Sequence, residues 1–234
     1  MKLAIMQPYI FPYIGYFQLI NAVDKFVVYD NIQFTKKGWI NRNRILVNSK
    51  DDYITLPLKK DSDYLNVDQR KLSDSFATEK IKLSRRIAES YRKAPEFSSI
   101  FPLVEAAVND ESENLFDYIF QSLQVVCSFL DIKTEFIKSS IIPIDHQLKA
   151  QDKVIAICEA LGASQYINPV GGVELYSKKI FQQHHIELNF IKSNTIEYPQ
   201  FNNEFVPWLS IIDVMMFNSK ERIQQYLQSF YTII

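Results

Sequence analysis

Side chains suited to chemistry crowd into the first part of the chain, where two short apolar runs each end in polar or aromatic residues. Gln7 and Tyr9 follow the apolar run 2–6, and Asp30 follows the run 25–29. The next loop carries amide, indole and guanidinium groups on Gln33, Trp39, Asn41, Arg42 and Arg44. A carboxylate can orient or deprotonate an amine, a guanidinium can hold a phosphate or carboxylate, and an indole can stack on a base or sugar. These residue types predict a binding or active site.

A strand–helix–strand unit must position these residues. Residues 2–6 and 25–29 are predicted as strands, and a helix is predicted to start in the turn that contains Gly15 and Tyr16. Ligands bind at the carboxyl ends of such strands, and a helix start presents free N–H groups to an anion. Gly15 would let a ligand or a strand approach the backbone. The alternative is a tight turn with aromatics covering the sheet edge, followed by a solvated loop with an incidental Asp–Arg pair.

A second strand end with the same character follows Tyr166. The segment runs through Pro169 into the adjacent Gly171 and Gly172 and then into a predicted helix over 174–183. Paired glycines permit positive φ and close approach of a phosphate. They also occur in ordinary turns, so both readings stay open. If the ligand crevice forms between adjacent strand ends, Gly15, Arg42 and the paired glycines are expected to converge there.

Near the carboxyl terminus, four polar residues stand within or beside apolar sequence, namely Tyr198, Gln200, Ser210 and Asp213. Ser210 and Asp213 are three positions apart, so on a helix they share one side. Ser210 is read either as the cap of that helix, with Asp213 in its first turn, or as part of the site. In the second reading Asp213 reaches the site beside Arg42 and is a catalytic candidate.

His146 is the histidine best placed to act as a base, because it follows Asp145 in a predicted loop. No His-x-x-x-His or Cys-x-x-Cys spacing, Walker loop, GxGxxG or nucleophile elbow occurs. No metal is therefore expected in the site, and the sequence indicates no particular cofactor.

The remaining sequence alternates strands and helices. A hairpin is predicted over 43–58, a helical block over 75–130, and strands over 134–138, 164–168 and 186–190. Helices are predicted over 151–161, 209–217 and 220–231. This alternation predicts a single α/β domain over 1–234 with a Rossmann-like parallel sheet wound on both sides, and 75–130 is expected to be a helical insert within it.

Composition excludes several classes of partner. The chain has 234 residues and a formal net charge of −1, so no global field attracts nucleic acid or an anionic membrane. Cys127 and Cys158 both lie in apolar helical patterns and are expected to be buried thiols. The start lacks the pattern of a signal peptide and no apolar run is long enough to span a bilayer, so a cytoplasmic protein is expected. No oligomeric state is indicated.

The turn into the first helix is similar to one in the nucleotidyltransferase superfamily that includes pantothenate synthetase. In that superfamily a strand leads to a His-x-Gly-His turn that grips a triphosphate. The segment Tyr13-Ile14-Gly15-Tyr16 has this spacing with tyrosines in both histidine positions. Tyrosine has a hydroxyl donor but no charge near neutral pH. The similarity implies a related, nucleotidyltransferase-like fold, and the substitution argues against adenylyl transfer.

Motifs spread over nearly the whole chain occur together in one family. They are MQPYIFPYIGYFQLI at 6–20, Asp24, DxxQF at 30–34, GWINRN at 38–43, YRKAPEF at 91–97, LGAxxY at 161–166 with the paired glycines, YPQ at 198–200, FxP at 205–207, LSIID at 209–213 and FN at 217–218. In these motifs the chain strongly resembles the WbqC-like protein family. The resemblance implies a place in bacterial O-antigen and surface-polysaccharide biosynthesis.

Residues and resemblance together predict an acyl or aminoacyl transferase that acts on an amino group of a nucleotide sugar. Arg42 and the glycine pair would hold the phosphates, Trp39 or Tyr9 would stack on the base or sugar, and Asp30 or His146 would take the proton of the attacking amine. The alternatives are a nucleotidyltransferase-like enzyme, marked by pyrophosphate release from ATP, and a non-catalytic nucleotide-sugar-binding or scaffold protein, marked by binding without turnover.

Overall fold

A computed structural model describes residues 1–234, and it shows a mixed α/β fold with a mostly parallel central sheet and several helices. The strands are β1 (Lys2–Met6), β2 (Lys25–Val28), β3 (Arg42–Val47), β4 (Lys50–Thr55), β5 (Glu135–Lys138), β6 (Gln165–Pro169), β7 (Glu187–Ser193) and β8 (Tyr231–Ile233). The six-stranded sheet has the order β5-β2-β1-β6-β7-β8, in which β8 alone is antiparallel. The remaining two strands, β3 and β4, form the separate hairpin predicted near 43–58.

Eight helices surround these strands: α1 (Ile14–Asn21), α2 (Phe76–Tyr91), α3 (Phe97–Val108), α4 (Leu115–Phe129), α5 (Ala150–Ala160), α6 (Lys178–Gln183), α7 (Ile211–Phe217) and α8 (Lys220–Ser229). Helices α2 to α4 occupy the block predicted at 75–130. Its description as an insert stays a prediction. None of the helices is both long enough and apolar enough to cross a membrane.

The sheet is covered on both faces because the apolar side chains of its strands alternate between two cores. Ala4 and Phe26 belong to the larger core of 47 buried residues, which includes residues of α1, α3, α4, α7 and α8. Leu3 and Val27 belong to a core of 14 buried residues with α5 and α6. Polar residues lie at the carboxyl ends of the parallel strands, for example Asp30 after β2 and Ser139 after β5.

The structure differs from the sequence prediction in the helices predicted over 174–183 and 220–231. The helix predicted over 220–231 ends at Ser229, and residues 231–233 form β8 along β7, since the β-branched run Thr232-Ile233 favours an extended strand. Residues 170–175 form a 3-10 helix, and α6 begins only at Lys178. The predicted thiols are free and buried, as expected for Cys127 and Cys158.

Candidate functional site

A pocket of about 240 Å³ opens where β1 ends and α1 begins. We call it the aromatic pocket, and its lining residues are Tyr9, Pro12, Tyr13, Trp39, Asn43, Arg44 and Trp208. Both tryptophans of the chain lie in its wall, and both are unusually exposed for their size, Trp39 at 41% and Trp208 at 52%. Exposed rings around a concave space with a few polar groups are typical of small-molecule sites.

Asn43 holds one wall of the aromatic pocket in place. Its buried amide donates hydrogen bonds to the backbone oxygens of Ile10 (3.0 Å) and Phe11 (2.8 Å). The Ile10 N–H in turn donates to the oxygen of Ile40 (3.1 Å), so the loop after β1 is joined to the loop after β2. These buried bonds satisfy backbone groups outside regular structure, which fixes the pocket before any ligand binds.

The start of α7 fixes the opposite wall. The Ser210 N–H donates to Arg44 O (2.8 Å), and the Ile211 N–H donates to Pro12 O (2.9 Å). The Ser210 hydroxyl donates to Phe11 O (2.7 Å) and accepts from the Ile212 N–H (3.2 Å). Ser210 is therefore the helix cap allowed for in the sequence and also a support of the pocket, while its own side chain is fully buried.

Two residues of these walls have a left-handed backbone. Phe11 has φ of 39° and Trp208 has φ of 60°, a region that large side chains rarely adopt. Such conformations persist only where neighbouring contacts enforce them, and they concentrate at functional sites. Here the contacts are the hydrogen bonds to Phe11 O and the bond from the Arg44 guanidinium to Trp208 O (3.3 Å).

The two arginines beside Trp39 play different parts. The Arg42 guanidinium donates to the oxygens of Gly38 and Lys37, and it lies 4.7 Å from the centre of the Tyr53 ring and 5.8 Å from that of Trp39. Arg42, predicted to bind phosphate, thus braces its own loop. Arg44 pairs with Asp51 (3.0 Å), yet its buried Nε has no partner within the chain. Arg44 therefore adds a charged side chain to the pocket lining, although its Nε is closed to solvent.

A second group of polar residues lies at the same edge of the sheet, at the ends of β2 and β5 and the start of α5. We call it the polar cluster, and its members are Asp30, Asn31, Ser139, Ser140, His146 and Lys153. The Asp30 carboxylate is only 3% exposed and accepts hydrogen bonds from the Ser139 hydroxyl (2.6 Å), the Ser140 N–H (2.8 Å) and hydroxyl, and the Asn31 N–H (3.0 Å).

The engagement of Asp30 limits what it can do. With its oxygens occupied by donors and closed to solvent, it is placed to orient its neighbours rather than to meet a substrate proton. His146 is half-buried, and its Nδ1 lies 3.0 Å from the Asn31 amide. The amide lies 2.7 Å from the Ser139 hydroxyl, so a continuous path of contacts runs from Asp30 to His146.

The glycine pair directly follows β6, the strand next to β1 in the sheet. A Cβ at Gly172 would lie 2.1 Å from the Asn168 amide and 3.5 Å from the Tyr176 ring, whereas Gly171 has open space. Neither glycine has a positive φ. Tyr166 is fully buried, and its hydroxyl donates to Asn168 (3.0 Å). Close approach to a side chain explains Gly172, and Gly171 is the exposed backbone position of the pair.

Gly15 and Tyr16 serve the packing of α1. A Cβ at Gly15 would lie 2.3 Å from the Tyr13 ring and 2.4 Å from the Ser193 hydroxyl, so the glycine lets α1 lie close to the end of β7. Tyr16 is buried, and its hydroxyl donates to Gln7 O (2.8 Å). The Gln7 side chain accepts a long bond from the Tyr9 hydroxyl (3.4 Å).

Gln33 and Asn41 lie in the loop after β2 and join it to neighbouring segments. Gln33 donates to Asp63 O (3.1 Å), and Asn41 donates to Leu56 O (2.9 Å). Both amides are therefore engaged with backbone in this state, and they shape the loop that carries Trp39.

Asp213 is the centre of a buried network behind the aromatic pocket. It is fully buried, and it accepts from the Tyr198 hydroxyl (2.7 Å), the Gln200 amide (2.7 Å) and the Tyr91 hydroxyl (2.9 Å). Burial raises the pKa of Asp213 from 3.8 to about 6, and the hydrogen bonds from Tyr198, Gln200 and Tyr91 oppose that rise. Gln200 also bonds both backbone groups of Val206 (2.7 and 3.1 Å), so the network holds the loop that leads to Trp208.

The predicted residues thus fall into two groups at one edge of the sheet, with Asp213 and its partners beneath the first. Tyr9, Gly15, Trp39 and Arg42 lie in or against the aromatic pocket, Asp30 and His146 lie in the polar cluster, and the glycine pair follows β6. Sequence reasoning did not single out Trp208 or Lys153. Trp208 could have been noticed as one of the two tryptophans of the chain.

Fold and site together define a mostly parallel α/β protein with a preformed, aromatic-walled pocket at the carboxyl ends of its strands. The model of the WbqC-like protein family matches residues 7–225, and the chain belongs to that family, as its motifs predicted. It is also similar to the "Uncharacterized protein Rv1507c" of Mycobacterium tuberculosis (strain ATCC 25618 / H37Rv), with 28% identity over 231 residues that cover 97% of each chain. No solved structure matches the chain.

Proposed function

We propose that this protein is a cytoplasmic enzyme of bacterial surface-polysaccharide (O-antigen) biosynthesis that transfers an acyl or aminoacyl group to an amino group of a nucleotide sugar. Family membership supports the biosynthetic setting. The observation that carries the proposal is the aromatic pocket, where two exposed indoles and the side chain of Arg44 surround a preformed space.

The strand order supports a Rossmann-like, nucleotidyltransferase-like assignment of the fold. Numbered along the chain, the strands of the sheet lie in the order 3-2-1-4-5-6, the order of doubly wound dinucleotide-binding sheets. In such sheets the ligand crevice forms where the winding direction reverses, which here is between β1 and β6. The aromatic pocket begins directly after β1, and the glycine pair follows β6 directly.

The size of the pocket limits which part of the ligand enters it. Its volume of about 240 Å³ is below the range of roughly 300–1,000 Å³ typical of sites that enclose a whole drug-sized ligand. We therefore assign it one ring of the nucleotide sugar, stacked on Trp39 or Trp208 with Arg44 at its edge. The rest of the ligand would extend along the sheet edge toward the polar cluster.

The polar cluster can supply the base for the transfer. The Ser139 hydroxyl has one proton, which it donates in a hydrogen bond to the acceptor-only Asp30 carboxylate (2.6 Å). The amide atom of Asn31 that lies 2.7 Å from the Ser139 hydroxyl must therefore be the N–H donor. A half-turn of the Asn31 amide satisfies this, and its oxygen then accepts the His146 Nδ1–H at 3.0 Å. His146 Nε2 is left with a free lone pair, which can take the proton that the sugar nitrogen loses as it forms a bond to the acyl carbonyl. The bond between that carbonyl and the carrier group of the activated donor then breaks, and the carrier leaves with the bonding pair and can take up the proton from His146.

The direct test is a search for acylated product. A panel of amino-sugar nucleotides is incubated with activated acyl or aminoacyl donors, and the products are identified by mass spectrometry. We expect an increase equal to the transferred group with at least one pair, lost in His146→Gln and weakened in Trp208→Ala. Tyr64→Ala, at an aromatic that is 83% exposed and outside the pocket, is the matched control and should keep full activity.

Other results of the same experiment would assign the alternative functions. Pyrophosphate released from ATP in step with product formation would identify a nucleotidyltransferase-like enzyme. Binding of a nucleotide sugar in the aromatic pocket without product from any donor would identify a non-catalytic binding or scaffold protein.

A further inference from the structure

The polar cluster contains a buried cation that the proposed transfer does not use. Lys153 lies in the first turn of α5 and is only 5% exposed. Its ammonium donates one hydrogen bond, to His146 O (3.2 Å), and lies 5.0 Å from the centre of the Tyr29 ring. An ammonium has three N–H donors, so two of them have no partner in the chain.

No carboxylate pairs with this ammonium. Lys153 takes part in none of the ion pairs of the structure. Asp30 and Asp145 act on it only through space, and the oxygens of Asp30 are already occupied by Ser139, Ser140 and Asn31. Burial lowers the pKa of Lys153, and the two carboxylates oppose that change.

A buried charge without a partner is costly, and proteins otherwise pair such charges or neutralise them. An anion from outside the chain that pairs with the buried Lys153 ammonium would explain why a lysine occupies this position. Arg42, which the sequence offered as the phosphate-binding cation, is occupied by the Gly38 and Lys37 oxygens and by the Tyr53 ring. Lys153 is the cation with unused donors in the polar cluster.

The surroundings of Lys153 suit a phosphate. Tyr29, whose ring faces the ammonium, directly follows β2. Tyr29 packs against the smaller core together with Tyr176, which lies next to Gly172. The adjacent Gly171 is open, so an anion there can approach the backbone. The flexible stem of a lysine lets its ammonium follow a bound phosphate, which it meets as a point charge.

We propose that Lys153 is the cation of a phosphate subsite that takes the diphosphate of the nucleotide sugar, while the aromatic pocket takes a ring of the same ligand. The naming of the ligand as a nucleotide sugar rests on the function proposed above. The subsite itself can be tested with inorganic pyrophosphate, which contains neither sugar nor base and does not depend on the aromatic pocket.

Isothermal titration of the full-length protein with inorganic pyrophosphate, at constant ionic strength, provides the first measurement. We expect binding that weakens at least tenfold in Lys153→Gln. Lys149→Gln, which removes an exposed lysine one turn earlier, is the matched control and should bind within twofold of the wild type. Equal affinity in Lys153→Gln and the wild type, or absence of pyrophosphate binding by the wild type, would overturn the subsite.

Thermal unfolding of Lys153→Met separates a binding role from a structural one. Because the ammonium has no anionic partner in the free protein, its removal should raise the melting temperature without ligand and abolish the further rise that pyrophosphate causes in the wild type. A lower melting temperature with an unchanged pyrophosphate-dependent rise would overturn the subsite and make Lys153 structural. Failure of sugar binding in the aromatic pocket, with pyrophosphate binding intact, would instead count against the proposed function alone.

Discussion

Replacing Asp213 by Asn should remove a pH dependence that this buried carboxyl gives to folding. The carboxyl keeps its proton in the folded protein up to about pH 6, whereas in the unfolded chain it releases it near 3.8. Between these values the folded state binds more protons than the unfolded state, so the free energy of unfolding falls as pH rises and is constant above the window. A shift of about two pKa units corresponds to about 3 kcal/mol.

The assay is urea unfolding of the wild type and Asp213→Asn at a series of pH values between about pH 4 and pH 7. Asn keeps the shape of the side chain and an oxygen that can accept from Tyr198 and Gln200. The Tyr91 hydroxyl loses its carboxylate acceptor, which lowers stability by an amount that does not depend on pH. The quantity of interest is therefore the change with pH of the difference between the two proteins.

We expect the wild type to lose about 3 kcal/mol relative to Asp213→Asn as the pH rises through this window. Asp61→Asn, at an exposed carboxyl, is the control and should follow the wild type. A stability difference that stays constant, or that grows in favour of the wild type as pH rises, would refute a raised pKa for the buried carboxyl.

Three further predictions concern the support of the site. Gly15→Ala places a Cβ 2.3 Å from the Tyr13 ring and should destabilise the fold by about 1–3 kcal/mol in urea unfolding. Gly171→Ala, which has open space around its Cβ, should change stability by less than about 0.5 kcal/mol, and equal effects of the two changes would contradict the packing account of Gly15. Asn43→Ala leaves Ile10 O unpaired and should cost about 1–3 kcal/mol, and a loss no greater than that of the exposed Asn203→Ala would show that these bonds do not matter. Asp30→Asn should cut turnover and spare ligand binding, since it disturbs the groups that orient His146; unchanged turnover would remove Asp30 from the mechanism.

Local patterns were sufficient to predict much of the architecture. The apolar runs 2–6 and 25–28, the hairpin around residues 48–49 and the helices of the block 75–130 are all present, because each is specified by short-range periodicity and turn residues. The final strand β8 was missed, since three residues after a helix form a strand only through pairing with β7, and no local signal marks that partner.

That the polar residues gather at one edge of the sheet could be predicted from the sequence, but their internal arrangement could not. Polar residues at strand ends indicated this shared edge, and its role as a ligand site stays a prediction. Whether Arg42 faces a ligand or its own loop depends on Gly38, Lys37 and Tyr53, whose positions follow from tertiary packing. Lys153 and Trp208 reach the edge from segments far along the chain, so sequence spacing could not connect them with Asp30 or Tyr9.

The most direct test of the ligand site uses the two tryptophans themselves. Trp39 and Trp208 are the only tryptophans of the chain and both line the aromatic pocket, so indole emission excited outside the tyrosine absorption band reports on that pocket. Titration of Trp39→Phe and Trp208→Phe with amino-sugar nucleotides should give a saturable change in the emission of the remaining indole, at the concentrations at which calorimetry detects binding. Calorimetric binding that leaves the emission of both variants unchanged would place the ligand elsewhere and contradict the account.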